Sequence, residues 1–160
     1  MSKLIWLKNV SRRTLIAFLP FLAKEDIDLA KEYLTESEYI LYKNMDIRDR
    51  DHAFQVAKAV IRNKNYSPEL VRAAFLHDVG KSGASYNPIE RIAVHLIKTN
   101  NIPINAQVSG LKAAIQRKNH HAEYGARLIK DKRVAELVRR HHEPKGDSEA
   151  EILKAIEEVF

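Results

Sequence analysis

Residues 74–81 read Ala74-Phe75-Leu76-His77-Asp78-Val79-Gly80-Lys81, and how this stretch leaves a helix decides the fold. Upstream, Ser67-Pro68-Glu69 combines a capping hydroxyl, a first-turn proline and an early acid, three signals that open a helix. That helix is predicted to reach His77 and to stop at Gly80. Leu70, Ala73 and Ala74 form its apolar side. His77 follows on the same side at the very end, with Asp78 just beside it. One helix end thus delivers an imidazole and a carboxylate to the interior.

Helical spacing continues on both sides. Thr35-Glu36-Ser37-Glu38 is a capping box that opens a helix over 35–44, and a second helix is predicted over 48–63. Residues 81–88 read as a loop, 89–98 as helix, and 99–107, with Pro103 and several asparagines, as irregular chain. Asn119 is predicted to cap a helix to residue 130, and Asp131 one that ends near His142. After the loop Pro144-Lys145-Gly146-Asp147, Ser148 caps a last helix to Phe160. No stretch alternates polar and apolar residues for long enough to make a strand. Glycine and proline number five each, too few for a sandwich or barrel full of turns. The chain has 160 residues, 45% of them hydrophobic, with neither repeat nor linker. The expectation is an all-α, single-domain, multi-helix bundle.

There are seven histidines and no cysteine, so a metal would be held by imidazole and carboxylate. His52 shares a face with Val56, Ala59 and Val60 and points inward. His121 lies over Gly125, Leu128 and Ile129. His141 follows Val134, Leu137 and Val138, and His142 sits at the edge of that stripe. His120 instead shares a polar face with Glu123, Tyr124 and Arg127, and His95 sits among Ile92, Val94 and Leu96 with no motif around it. Four helices each aim a histidine inward, one with Asp78 alongside. The plainer reading is that two or three of these cap carbonyls or meet solvent. Isolated core imidazoles would each need a partner, whereas one shared metal site accounts for all of them.

The stretch at 74–81 resembles the defining His-Asp motif of the HD-domain superfamily of metal-dependent phosphohydrolases. Its His-Asp-x-Gly-Lys form is similar to the HDIG and HD-GYP branches, HDIG above all. Three further segments resemble that family in the expected order: Asp51-His52-Ala53-Phe54-Gln55-Val56-Ala57, His121-Ala122-Glu123-Tyr124-Gly125-Ala126 and Val138-Arg139-Arg140-His141-His142-Glu143. The resemblance covers residues 35–160 and leaves 1–34 as an N-terminal helical extension. It implies that His52, His77 and Asp78 bind a first metal, and that Asp78 bridges to a second held by His121, His141 and His142. It also implies that Lys81 lies beside the phosphoryl group or orients the attacking water. One or two divalent ions are implied, drawn from Mn, Fe, Co, Ni, Zn or Mg. The implied activity is hydrolysis of a phosphomonoester, nucleotide or dinucleoside polyphosphate through a metal-activated water. Asp78 and Lys81 would be catalytic, with Lys81, Arg48 and Arg50 adding positive charge around the substrate.

The family's last ligand is usually an aspartate on the closing helix. Here Leu153-Lys154-Ala155-Ile156-Glu157-Glu158 has glutamates. Glu157, at the edge of the apolar face beside Ala150 and Leu153, is the expected substitute, and Asp147 competes from the preceding loop. The Gly-Tyr-Pro segment of cyclic-di-GMP phosphodiesterases is missing. His-Asp is followed by Val-Gly-Lys rather than by the Glu-Asp pair of guanosine-tetraphosphate hydrolases.

The formal charge is +6. No acid precedes Glu25, but Lys3, Lys8, Arg12, Arg13 and Lys24 do. Such an arm suits a helix packed on the domain with its charges in water, the preferred reading, or weak contact with a membrane surface or polyanion. The apolar stretch 15–23 falls short of the roughly 20 residues of a membrane span. No signal-peptide cleavage site clearly follows it, so the cytoplasm is the expected location. The expected partner is a phosphate-containing small molecule, a nucleotide by preference, with no specific nucleic-acid binding. The alternative is a non-catalytic, metal-stabilised regulatory module whose basic arm binds an acidic membrane or nucleic acid. Lys81 favours the enzyme, because a structural metal requires neither a lysine nor an open coordination position.

Overall fold

The computed structural model describes residues 3–62, 66–82 and 102–160. Among them are eight α-helices, two 3-10 turns and no strand. Helix α1 (Lys3–Phe18) and a 3-10 turn (Pro20–Leu22) precede α2 (Ile27–Tyr33), α3 (Glu36–Lys43), α4 (Ile47–Ile61) and α5 (Pro68–Leu76). A second 3-10 turn (Val79–Lys81) follows α5, and α6 (Gly110–Leu128), α7 (Lys132–Arg140) and α8 (Ser148–Glu157) complete the bundle. The all-α expectation holds. The helix expected over 89–98 and His95 lie outside the described residues.

The caps explain most of the boundaries. The capping box of α3 is formed in both directions: Thr35 accepts from the Glu38 amide, and the Glu38 carboxylate accepts from the Thr35 amide at 3.0 Å. Ser67 and Pro68 open α5 as expected, and Asp131 opens α7. Two starts differ from the expectation. Helix α8 is capped by Asp147, whose carboxylate accepts from the amides of Glu149 and Ala150, so Ser148 is already helical. Helix α6 begins at Gly110, well before Asn119. Its first turns are held by tertiary contacts: Gln116 Nε2 donates to Pro103 O at 2.6 Å and Ala106 O at 2.9 Å, while Ala114 and Ile115 pack with Ile102.

Helix α5 lies at the centre. Leu70, Ala73, Ala74, Phe75 and Leu76 are all fully buried, against α4 on one side and α7 on another. Arg72 leaves this core sideways and pairs with Glu38 of α3 at 2.6 Å and with Asp131 at 3.1 Å, tying three elements together. Residues 3–34, expected to be an extension, are attached to the bundle. Asn9 Nδ2 donates to Val159 O at 2.7 Å, Arg12 forms a two-pronged pair with Asp51 of α4, and Ile16 is buried. No helix among the described residues is long and apolar enough to cross a membrane.

Candidate metal centre

Helix α5 ends where its apolar side runs out. His77 is its C-cap, and the chain then tightens into the turn that carries Val79, Gly80 and Lys81. This turn lies directly on the backbone of α6. A Cβ at position 80 would stand 1.9 Å from His121 O and 2.6 Å from Gly125 N. The role of Gly80 is therefore close approach rather than a left-handed helix stop. Positive φ among the described glycines occurs at Gly110 and Gly146. Seating the turn on α6 brings Asp78 against His121.

Two groups of ligand atoms result. His52, His77 and Asp78 form one and His121, His141 and His142 the other, with the atoms of each group within 4.8 Å of one another. The His77 ring stands edge-on to those of His52 and His141, at centroid separations of 5.2 and 5.4 Å. Asp78 joins the groups: its Oδ2 is 3.6 Å from His77 Nε2 and its Oδ1 is 3.3 Å from His121 Nε2. All these residues are buried except His142, whose side chain is 50% exposed. The site therefore has one open side.

Three rings are held the same way. Nδ1 of His77 faces Ala74 O at 2.9 Å, Nδ1 of His121 faces Lys118 O at 2.7 Å, and Nδ1 of His141 faces Val138 O at 2.6 Å. A carbonyl only accepts, so each Nδ1 carries the proton and each Nε2 is left with a lone pair aimed into the site. Yet His121 Nε2 lies 3.2 Å from His141 Nε2, so these two lone pairs face each other and repel, and His142 Nε2 stands 3.0 Å from His121 Nε2. Two ligand atoms about 2.1 Å from one ion and roughly at right angles would stand about 3.0 Å apart. His77 Nε2 and Asp78 Oδ2 are buried without a hydrogen bond, and Asp78 Oδ1 has the Lys81 ammonium beside it. Orphaned acceptors on imidazole and carboxylate are the donor set a divalent cation requires.

The electrostatics agree. Burial, reinforced by the Lys81 ammonium, pushes the His121 imidazole down to about 3. Burial also holds His141 well below the usual imidazole range. Both are neutral, ligand-ready bases at physiological pH. Burial alone would raise the Asp78 carboxyl, but Lys81 and the neighbouring imidazoles outweigh it and hold the group well below its ordinary value. Lys81 Nζ is 2.6 Å from Asp78 Oδ1 and partly exposed.

Residues 49–159 match the HD domain family. The chain belongs to the HD-domain family. The matched stretch runs from the first turn of α4 to just beyond α8, so α1, α2 and α3 precede it. No curated protein and no solved structure matches the chain.

The other residues singled out in the sequence have different places in this HD domain. His120 turns away, with Nε2 2.7 Å from Ile102 O. Glu157 belongs to neither ligand group: its Oε2 lies 4.0 Å from Nδ1 of His142, on the far side of that ring from His121. Asp147 caps α8 and pairs with Arg133 at 2.5 Å, which engages both of its oxygens. Arg48 pairs with Asp46 at 3.1 Å. Arg50 donates to Lys43 O at 2.8 Å and Met45 O at 3.1 Å and pairs with Glu25 at 2.8 Å. Both arginines brace the corner between α3 and α4.

Two supporting residues escaped the sequence reading. Asp51, the neighbour of His52, is buried and accepts from Arg12 and from the Lys24 amide at 2.7 Å. Arg117 donates to Ser82 O at 2.9 Å and so clamps the end of the turn that carries Lys81. In sequence each is one more charged residue on a helix, with no local signal of its distant partner.

Proposed function

We propose that this HD domain is a metal-dependent phosphohydrolase of the HDIG type, acting on a phosphomonoester, nucleotide or dinucleoside polyphosphate. The observation that carries the reading is Lys81, whose ammonium stands 2.6 Å from Asp78 where the two histidine groups meet. Imidazoles and a carboxylate are enough for a structural ion. A half-buried lysine beside the shared carboxylate adds a cation that binding an ion does not need and that phosphoryl oxygens do.

His52, His77 and Asp78 would hold one ion and Asp78, His121, His141 and His142 another, of the Mn, Fe, Co, Ni, Zn or Mg kind. Ions bound there supply Lewis acidity toward water and phosphoryl oxygen. The chain does the rest. Carbonyls of Ala74, Lys118 and Val138 fix the ring orientations. Burial of five of the six ligands excludes bulk water from all but one side. Lys81 neutralises a phosphoryl oxygen, and Glu157, 4.0 Å from Nδ1 of His142, adds negative charge beside that ring. Beside His142 lies a groove of about 410 Å³ in which Arg139, Arg140 and Lys145 are paired with Glu123, Glu136 and Glu143, so its walls are close to charge-balanced. A cysteine-free chain suits the reducing cytoplasm.

The test is a panel of phosphomonoesters, nucleotides and dinucleoside polyphosphates, run on the full chain with each divalent metal in turn. Metal-dependent turnover is expected on at least one. Asp78→Ala lowers it by at least a thousandfold at unchanged helical content, and Lys81→Ala lowers kcat. Glu32→Gln, at an exposed position of α2, leaves turnover unchanged. Hydrolysis absent with every metal, or retained by Asp78→Ala, would sink the reading.

A further inference from the structure

Helix α1 has two unlike faces. Asn9, Arg12 and Ile16 lie on one and dock onto the domain through Val159 O, Asp51 and the core. Leu7, Leu15 and Phe18 lie on the opposite one, within about a third of a turn of each other at the 100° helical step. Their exposures are 54, 51 and 55%, and the stripe continues past the helix end over Leu19, Leu22 and Phe21, the last 78% exposed. Single exposed leucines are ordinary; six large apolar residues within sixteen positions are a patch. Charge accompanies it. Residues 1–24 hold five cations and no acid. Arg12 is engaged by Asp51, whereas Lys8 and Lys24 are exposed.

We infer that this face of α1, with the Pro20–Leu22 turn, is a docking surface for an anionic lipid bilayer. A membrane interface offers what this segment lacks: acyl chains for the leucines and phenylalanines and anionic headgroups for the lysines. A second copy of the chain would bring the same cationic segment against itself, like charge on like. A nucleic acid would meet the lysines but leave the leucines without a partner. The helix lies in the interface plane, its Asn9–Arg12–Ile16 face still fastened to the bundle, so the domain is carried on the membrane rather than released from it. The inference rests on the surface of α1 and is independent of the phosphohydrolase reading.

Co-sedimentation of the full chain with vesicles tests it. Vesicles of phosphatidylcholine alone are compared with phosphatidylcholine vesicles containing about one-third phosphatidylglycerol, at low and high salt. The wild-type chain is expected to pellet with the anionic vesicles at least tenfold more than with the neutral ones, and less at high salt. Phe18→Glu/Phe21→Glu and Lys8→Glu/Lys24→Glu each cut pelleting at least tenfold, with helical content unchanged. Three results would each overturn the inference. The first is no pelleting, or equal pelleting with neutral lipid. The second is full pelleting of the Phe18→Glu/Phe21→Glu variant. The third is no vesicle binding together with a dimer or a DNA or RNA complex that the same variant abolishes, which assigns the face to that occupant.

Discussion

The Nε2 atoms of His121 and His141 stand 3.2 Å apart while the Nδ1 of each ring faces a carbonyl three residues back. Without a cation the two lone pairs oppose each other in a buried space. An ion between them turns that repulsion into two bonds, and only the native chain presents the pair. Metal should therefore stabilise the folded state. At one hundred times Kd the gain is about 2.7 kcal/mol, which for a chain of this size is roughly 5–10 °C in Tm. Thermal melts of chelator-treated protein with Mn, Ni or Zn added back measure it, and Asp78→Ala should lose most of the shift. A Tm that no metal moves would show that the two rings reach an accommodation of their own.

The same burial sets a pH dependence for the metal-free protein. His121 is pushed down to about 3, and His141 is held well below its ordinary value. In the unfolded chain both titrate near 6.5. Between about 3 and 6.5 the unfolded state binds protons that the native state refuses, so its population gains as pH falls. The stability is full above about pH 6.5 and is lost progressively below it. Urea midpoints of chelated protein should fall in order from pH 7.5 to 6 to 5. A level or rising series would mean that the rings carry charge in the native fold.

Gly80→Ala places a methyl group where His121 O and Gly125 N already stand, at 1.9 and 2.6 Å. These are backbone atoms and cannot rotate aside. Lifting the turn off α6 should cost about 1–3 kcal/mol or more and should pull Lys81 and Asp78 from the centre, so stability and metal affinity fall together. Denaturant unfolding and a metal titration on one preparation check both, and a variant with wild-type values would refute the contact.

Arg12→Ala leaves the Asp51 carboxylate buried with the Lys24 amide as its remaining described donor. The expected loss is roughly 1–3 kcal/mol. Because Arg12 is partly exposed, water entering beside Asp51 limits the loss. In a double-mutant cycle, Arg12→Ala/Asp51→Ala should be less destabilised than the sum of the two single variants. Strict additivity would show that α1 is held by its other contacts alone.

What the sequence determined by itself is local. The caps at Thr35, Ser67 and Asp131 act over three residues, and the inward facing of His52, His77, His121 and His141 follows from helical spacing to apolar neighbours within two turns. Such short-range rules carry the all-α fold and the inward facing of the histidines, because the residues that decide them are neighbours in the chain, whereas the division into two ligand groups was implied by the resemblance to the HD family. Only the tertiary structure could decide the rest. Asp147 reads as a free loop acid until Arg133 and the end of α8 close on it, and Arg50 reads as a spare cation until Glu25 and the carbonyls of Lys43 and Met45 surround it. Asp51 has its partner 39 positions away, and Gly80 is required by a backbone 41 residues further on, at His121. A charged or tiny side chain carries no mark of which distant group will neutralise or crowd it. That is settled by the packing of α1, α4, α5 and α6, where desolvation makes an unpaired charge or a displaced backbone too costly to leave.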